Sequence, residues 1–336
     1  MHNWYETVDL NNPLVISSRI RLARNIKGIP FPKRMNDAQK QETLESIKGL
    51  LDSVTLDKVG TLKYINMETV PEEELFAMVE RHIISPDFAK KHGPRGLVIS
   101  EDESVSIMLM EEDHIRLQVL RGGLKLNEAY EIAQKIEMIL SGGLTIAFDS
   151  QLGYLTECPT NLGTGLRASL MLHLPVLERS GALSTITDSV SKIGLTVRGM
   201  YGEKSRSRAA LYQLSNQVTL GISEQAAIDN LSAIANQIVQ KELAAREGLD
   251  KQVLQDSVYR ALGTLRYARL LSSEEMMNLI SDVKLGVEMG ILEDIAPSLP
   301  ITLLIETQAF SLQKVNGRMT PADRDVLRAS IIRERL

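Results

Sequence analysis

Apolar positions change their period along the chain, and each change marks an element. Within residues 14–24, polar and apolar side chains alternate from Ser18 onward, the pattern of a strand with one buried face. Ile20 and Leu22 then point into a core, while Arg19 and Arg21 point away from it. Residues 36–52 read as a helix, with Asn36 as its cap and Leu44, Ile47 and Leu51 along one face. The stretch 71–84 reads as another: Pro71 suits the first turn, and Glu72, Glu73 and Glu74 suit the positive end of the dipole. The apolar runs 97–100, 105–110 and 115–120 read as successive strands, with Glu111-Glu112-Asp113-His114 as the turn between the last two. A helix over 127–140 is expected to be capped by Asn127, to face Ile132, Ala133, Ile136 and Leu140 inward and to end at Ser141-Gly142-Gly143. Residues 144–150 read as a strand, and the Gly-rich loop 160–165 as the opening of a helix over 166–177. After a strand pair near 195–221 the period becomes helical over 223–247, 251–271, 273–290 and 321–335. Gly248-Leu249-Asp250 interrupts this run, so a domain boundary is expected near 245–252. It separates a mixed α/β unit (1–245) from a small helical one (252–336).

Composition narrows the class. The 336 residues are 43% hydrophobic and 24% charged, enough to bury a core and unlike a disordered chain. Thirty-eight Lys and Arg against 43 Asp and Glu give a net charge of −5. A general nucleic-acid binder needs a strong positive field, so that class is excluded. Cys158 is the single cysteine, so no intrachain disulfide forms. The first ten residues carry no apolar run like that of a signal peptide, and no stretch is apolar enough to span a membrane. A reducing, cytoplasmic setting is expected.

The common nucleotide and metal motifs are missing: there is no GxxxxGK[ST], HExxH, CxxC or GxSxG. Gly163-Thr164-Gly165-Leu166-Arg167-Ala168 fits G-x-G-x-x-A, with Asp188 about 20 residues on. That fingerprint must follow directly on an apolar strand, and Glu157-Cys158-Pro159-Thr160-Asn161 intervenes. The arginines say more. Arg19 and Arg21 share a strand face about 7 Å apart and repel each other unless an anion lies between them. The plain alternative is a solvated outer face. Arg116 repeats the pattern beside Gln118, Arg167 follows the Gly-rich loop, and Arg198 precedes a Gly-Met-Tyr-Gly-Glu turn. Forked guanidinium hydrogen bonds suit phosphates, so a phosphoryl-transfer site built from arginines is a fair expectation. Glu111, Glu112 and Asp113 crowd together, which raises carboxyl pKa values and suits a base, a metal site or simply a solvated hairpin tip. Cys158 is a small buried hydrophobe or a thiolate near a cation. His114, in the turn, and His173, on the predicted helix, read as structural.

Four blocks, at 17–28, 111–118, 155–175 and 197–224, together resemble the phosphagen (guanidino) kinases, in that family's order and spacing. Only 17 residues precede Ser18, where small-metabolite kinases of the family carry a helical domain. Arg324-Asp325-Val326-Leu327-Arg328-Ala329 resembles the RDxxRA motif of the branch that phosphorylates arginines in proteins. The resemblance implies an α+β fold: a mostly antiparallel sheet flanked by helices, then a small all-helical domain. It implies that Arg19, Arg21, Arg116, Arg167 and Arg198 hold the phosphates of ATP, with Mg²⁺ bridging them. Glu112 is implied to orient the guanidinium and take its proton, Glu203 to clamp it, and Cys158 to lie beside it. Arg324, Asp325 and Arg328 match a regulatory phosphoarginine pocket. The partners implied are proteins with exposed arginines, an activator protein, a Clp-type protease and a second copy of the chain in a dimer or larger homo-oligomer.

The sequence departs from the family at two places. Asparagine usually precedes the acidic turn, and here Met110 does. The loop after Glu203, small and Gly-rich in the family, reads Lys204-Ser205-Arg206-Ser207-Arg208-Ala209-Ala210. Loss of glycine should stiffen a loop that closes over substrate. Two other functions remain open on the sequence: a kinase for a free guanidino metabolite, and an inactive kinase-like adaptor that binds phosphoarginine.

Overall fold

The structure is a computed structural model and describes residues 3–200 and 207–336. The chain runs β1 (Val15–Arg24), α1 (Asp37–Leu51), β2 (Thr55–Leu56), β3 (Gly60–Asn66), α2 (Glu72–Glu80), α3 (Pro86–Lys90), β4 (Gly96–Ser100), β5 (Val105–Leu109), β6 (Ile115–Gly122) and α4 (Leu126–Gly143). It continues with β7 (Phe148–Asp149), β8 (Gly153–Tyr154), β9 (Leu166–His173), α5 (Pro175–Arg179), α6 (Ala182–Ser191), β10 (Leu195–Gly199), β11 (Leu211–Asn216) and α7 (Glu224–Glu247). Five helices end it: α8 (Lys251–Tyr267), α9 (Ser273–Glu288), α10 (Leu299–Glu306), α11 (Ala309–Asn316) and α12 (Pro321–Arg335).

Nine strands form one sheet in the order β10-β11-β9-β1-β6-β5-β4-β3-β2, and every neighbouring pair is antiparallel. One face is apolar. Ile20 and Leu22 of β1, Leu117 and Val119 of β6, and Leu170 and Leu172 of β9 are all buried there, in one core with α1, α4, α6 and α7. The opposite face is closed at one end by a second core, in which Trp4, Ile16 and Leu120 meet α8, α9, α10 and α12. A third, smaller core joins α2 and α3 to Leu97 and Met108. Between these two, the face stays open.

Several boundaries differ from expectation, for identifiable reasons. Residues 166–173 are a central strand, not the start of a helix over 166–177. Leu166, Ala168, Leu170 and Leu172 are buried in strict alternation, and β9 pairs with both β1 and β11. His173 therefore ends a strand. Of 144–150 only Phe148–Asp149 is strand; Lys27 and Ala147 donate to Thr145 O and Asn25 O at 2.8 and 2.7 Å, so this run pairs with the end of β1. α4 starts at Leu126 and runs through Gly143, while Asn127 accepts from Gln225 Nε2 (3.0 Å) instead of capping. α2 stops at Glu80, where His82 takes a φ of 62°. Asn36 caps α1 with a reciprocal bond to Gln39, as its sequence predicts.

Candidate active site

The register of the sheet gathers the arginines. Residues directly opposite on antiparallel strands share a face. Arg21 of β1 lies opposite Arg167 of β9 and Gln118 of β6. Arg116 lies two residues from Gln118 on β6 and opposite Ala23. Arg19 lies opposite Ser169, and Arg198 of β10 opposite Gln213 of β11. All five arginines thus stand on the open face. Arg167 is placed by strand pairing, so it owes nothing to a helix N-terminus.

Two of the five guanidinium groups, those of Arg21 and Arg167, are short of partners. Arg19 donates to Gln213 Oε1 and to Ser169 Oγ, and Arg116 Nη1 donates to both oxygens of Glu111 at 2.7 Å. The Nε atoms of Arg21 and Arg167 are buried with no hydrogen-bond partner. Burial, then Arg116 and Arg167, brings Arg19 down to about 10. Burial, then Arg19, Arg116 and Arg167, holds Arg21 well below its usual value. Buried, mutually repelling, under-bonded cations fit an anion with several oxygens.

A cleft of about 190 Å³ is lined by Arg21, Arg116 and Arg167 together with Glu112, Asp113 and Cys158, whereas Arg19 and Arg198 are not among its lining residues. The acidic turn does not raise all three carboxyls. Glu111 is held below the usual range: burial opposes this, but Arg116, Ser85 and the Glu112 N–H outweigh it. Glu112 is half-buried, and burial, Asp113 and Glu111 push it up. Asp113 is also pushed up by burial. Cys158 is half-buried, with Sγ 3.0 Å from Thr160 Oγ1. Cys158 and Glu112 both act on Arg167, against the lowering by burial.

Residues that no local pattern singles out hold the cleft together. Asn25 Nδ2 donates to Asp113 Oδ1 (2.6 Å) and Leu155 O (3.0 Å), and its Oδ1 accepts from His114 N (2.9 Å). Asp113 Oδ1 also accepts from Glu157 N (2.8 Å), tying the acidic turn to the Cys158 segment. The ring of His114 is structural: Nδ1 accepts from Ile26 N (3.0 Å), and Nε2 lies 2.8 Å from Pro30 O. The glycines of the Gly-rich loop serve close packing, while Thr160, Asn161 and Gly165 also line the cleft. Gly163, at φ +98°, passes so close to Thr219 that a Cβ would lie 2.1 Å from its carbonyl oxygen. Gly165, at φ +58°, rests against Arg24, which stacks on Tyr154 at 3.5 Å and donates to Thr164 O at 3.0 Å.

Glu203 lies outside the described residues. Arg324, Asp325 and Arg328 lie on α12, apart from the cleft lining. Arg324 and Asp325 are half-buried, and Arg328 is 1% exposed. Met110, before the acidic turn, is buried at φ 63°, and Ala209 and Ala210 have φ values of 59° and 50°. The departures from the family thus put side-chain-bearing residues where glycine or asparagine is more at ease.

Residues 43–245 match the family described as ATP:guanido phosphotransferase, C-terminal catalytic domain, and residues 251–336 match the protein-arginine kinase McsB C-terminal domain. The protein-arginine kinase of Desulforamulus reducens is 43% identical over 99% of this chain and 95% of its own length. That of Brevibacillus brevis is 44% identical over the same shares. A duplicated taurocyamine kinase from Schistosoma mansoni, solved with bound transition-state analogue components, superposes with a TM-score of 0.63 at 27% identity, over 76% of this chain and 38% of that one. Lombricine kinase superposes at 0.62 with 24% identity, over 74% and 71% of the two chains, a likeness of fold alone. The chain belongs to the ATP:guanido phosphotransferase family, in its protein-arginine kinase branch.

Proposed function

We propose that this protein transfers the γ-phosphoryl group of ATP to arginine side chains of proteins at the cleft over Arg21, Arg116 and Arg167. The observation that carries this reading is that Arg21 and Arg167, each with a buried Nε lacking a partner, line one cleft with the half-buried carboxylate Glu112. Arg19, Arg21, Arg116, Arg167 and Arg198 bind the phosphates. The transferring phosphoryl is loose and anionic, so placing positive charge around it is most of the catalysis. The substrate guanidinium is protonated at ordinary pH and a poor nucleophile. Glu112 holds it in line, helped by Glu203, and Cys158 sits beside it. A guanidinium nitrogen attacks the γ-phosphorus. The N–P bond forms as the bond to the β–γ bridging oxygen breaks, ADP leaves with that oxygen, and the nitrogen's displaced proton passes to Glu112.

Among the described residues no three His, Cys, Asp or Glu gather to hold a metal, and Glu111 and Asp113 are committed to protein donors. Mg²⁺ accompanying ATP would then be held through the nucleotide rather than by a cage of these residues. When bound, it neutralises developing phosphate charge.

Arg324 and Asp325 form the regulatory phosphoarginine pocket in this reading, and Arg328, 1% exposed and bonded to Thr307 O, Leu271 O and Asp325 Oδ1, supports it from below. The exposed Tyr259, Tyr267, Leu270 and Val326 support self-association through the C-terminal helices. Marking of proteins for a Clp-type protease, an activator protein and a cytoplasmic setting complete the proposal. No helix among the described residues is long and apolar enough to cross a membrane.

The test is phosphotransfer from Mg-ATP to an unfolded arginine-rich protein and, in parallel, to free arginine, with the acid-labile P–N bond located by mass spectrometry under non-acidic handling. Label on protein arginine is expected. Glu112→Gln should lower the rate by about 10²–10⁴-fold with ATP still bound. Label on free arginine alone would make the protein a metabolite kinase, and ATP binding without label would point to an adaptor or to a missing activator protein.

A further inference from the structure

A second cleft, of about 550 Å³, lies beside the acidic turn, between the segment leading into α2 and the segment leaving α3. That volume is within the range of about 300–1,000 Å³ common for ligand clefts. Its walls differ in charge. The wall from Met67 to Phe76 is apolar, with two acids, Glu68 and Glu72. The wall from Ala89 to Arg95 carries Lys90, Lys91, His92 and Arg95 and no acid. Lys90 and His92 are exposed. Arg95 is only 5% exposed, and its Nε has no hydrogen-bond partner.

The short helix α3 and the basic wall that follows it are tied to the acidic turn through Glu111. Ser85 caps α3, accepting from Phe88 N (3.0 Å) while donating to Glu111 Oε1 (2.7 Å). Beyond the other end, Lys91 Nζ donates to Glu111 O (2.6 Å), one residue before Glu112. Burial, then Lys40, depresses the Lys91 ammonium further than Glu111 restores it, and Lys33 and Arg95 add to the lowering. Lys33 also acts on Glu112.

We propose that this cleft docks the stretch of a protein substrate next to the target arginine, and that it takes a segment pairing an apolar side chain with acidic neighbours. The inference rests on the protein-arginine reading and adds the substrate's sequence preference to it. Phe76, Val70 and Ala89 receive the apolar side chain, and the Lys90–Arg95 wall receives the carboxylates. Charge complementarity at such a rim sets selectivity more than raw affinity.

Two short peptides test this, each with one arginine, one flanked by Leu-Glu-Glu and the other by Leu-Gln-Gln. With the full chain and Mg-ATP, kcat/KM should favour the acidic peptide about tenfold, through KM. The double variant Lys90→Glu/His92→Glu changes only exposed side chains and should abolish the preference; thermal unfolding checks that it is folded. Fluorescence anisotropy of labelled peptides without ATP reads the same preference independently of phosphotransfer, so a failure of the kinase reading would leave this test intact. Equal affinity of the wild-type chain for both peptides, or a preference that survives the double variant, overturns the proposal.

Discussion

Arg21 and Arg167 face each other across two central strands, and neither Nε finds an acceptor. The cation is there before any anion arrives, so in the proposed function it would stabilise the transferring phosphoryl without reorganising the site. Glu112 is the matching residue on the other side. Burial, Asp113 and Glu111 lift its pKa, and a general base works only when deprotonated. The acidic limb of kcat/KM should therefore fall off as pH drops through a value above the ordinary carboxylate, about 4.3. A limb at or below that value, in a profile measured with a non-titrating substrate flank, would remove Glu112 from the role of base. At this scale the sequence marks candidate residues for the chemistry but not what restrains them. Strand alternation puts Arg19 and Arg21 on one face, whereas Asn25 and Asp113 lie 88 residues apart and meet only once the sheet has formed. Nor does crowding alone predict the acidic turn, because Arg116 folds back onto Glu111 and lowers it while its neighbours rise.

Among the elements, β9 shows how a motif can mislead. A Gly-rich loop ahead of residue 166 suggests a helix and an anion at its N-terminus. The residues themselves alternate as Leu166, Arg167, Ala168, Ser169, Leu170, Met171, Leu172 and His173, a strand period visible without the structure. The glycines serve close chain crossing. By contrast, β1, the β5–β6 hairpin and the cap of α1 follow their sequence patterns closely, because each is set by local periodicity or by neighbours three residues apart. α12 carries a prediction of its own. Arg328 donates to Thr307 O (2.9 Å), Leu271 O (2.7 Å) and Asp325 Oδ1 (2.6 Å) from a fully buried position. Arg328→Ala strands these acceptors and opens a cavity, and should cost about 3 kcal/mol. Arg324→Ala, at a half-buried site, should cost less than about 1 kcal/mol. Urea denaturation of both variants checks the difference. Equal losses would place Arg324 in the structural role too and weaken its assignment to the phosphoarginine pocket.

The whole molecule is held by more than its apolar cores. Where α7 and α9 meet the end of β9, Glu242, Arg246, Lys284, Glu288 and His173 form a buried network. Glu242 accepts from Val176 N, Leu177 N and Arg246 Nε at 2.9–3.1 Å. Glu288 receives Lys284 and Arg246 at 2.8 Å and His173 Nδ1 at 3.1 Å. Burial works against the Glu288 carboxylate, yet Lys284, His173 and Arg246 hold it below the usual range. A carboxylate depressed in the folded state adds stability that is full above its unfolded value, about 4.3, and fades as pH falls through the folded one. At neutral pH Glu288→Gln leaves two buried cations short of charge, and should lower unfolding free energy by about 3–5 kcal/mol. Chemical denaturation reads this directly. A loss under about 1 kcal/mol would mean that water or the neighbouring carboxylate Glu242 already screens the pair.

The pairing of Arg21 with Arg167 and of Ile20 with Ala168 has a consequence for how the site is assembled. Side chains along a strand alternate with a period of two, so a slip of one residue would turn Ile20 and Leu22 outward and Arg19 and Arg21 into the core. Apolar contact and two of the five arginines proposed to hold the phosphates would therefore be lost together. Correct pairing of β1 builds the core and that part of the arginine face in one event.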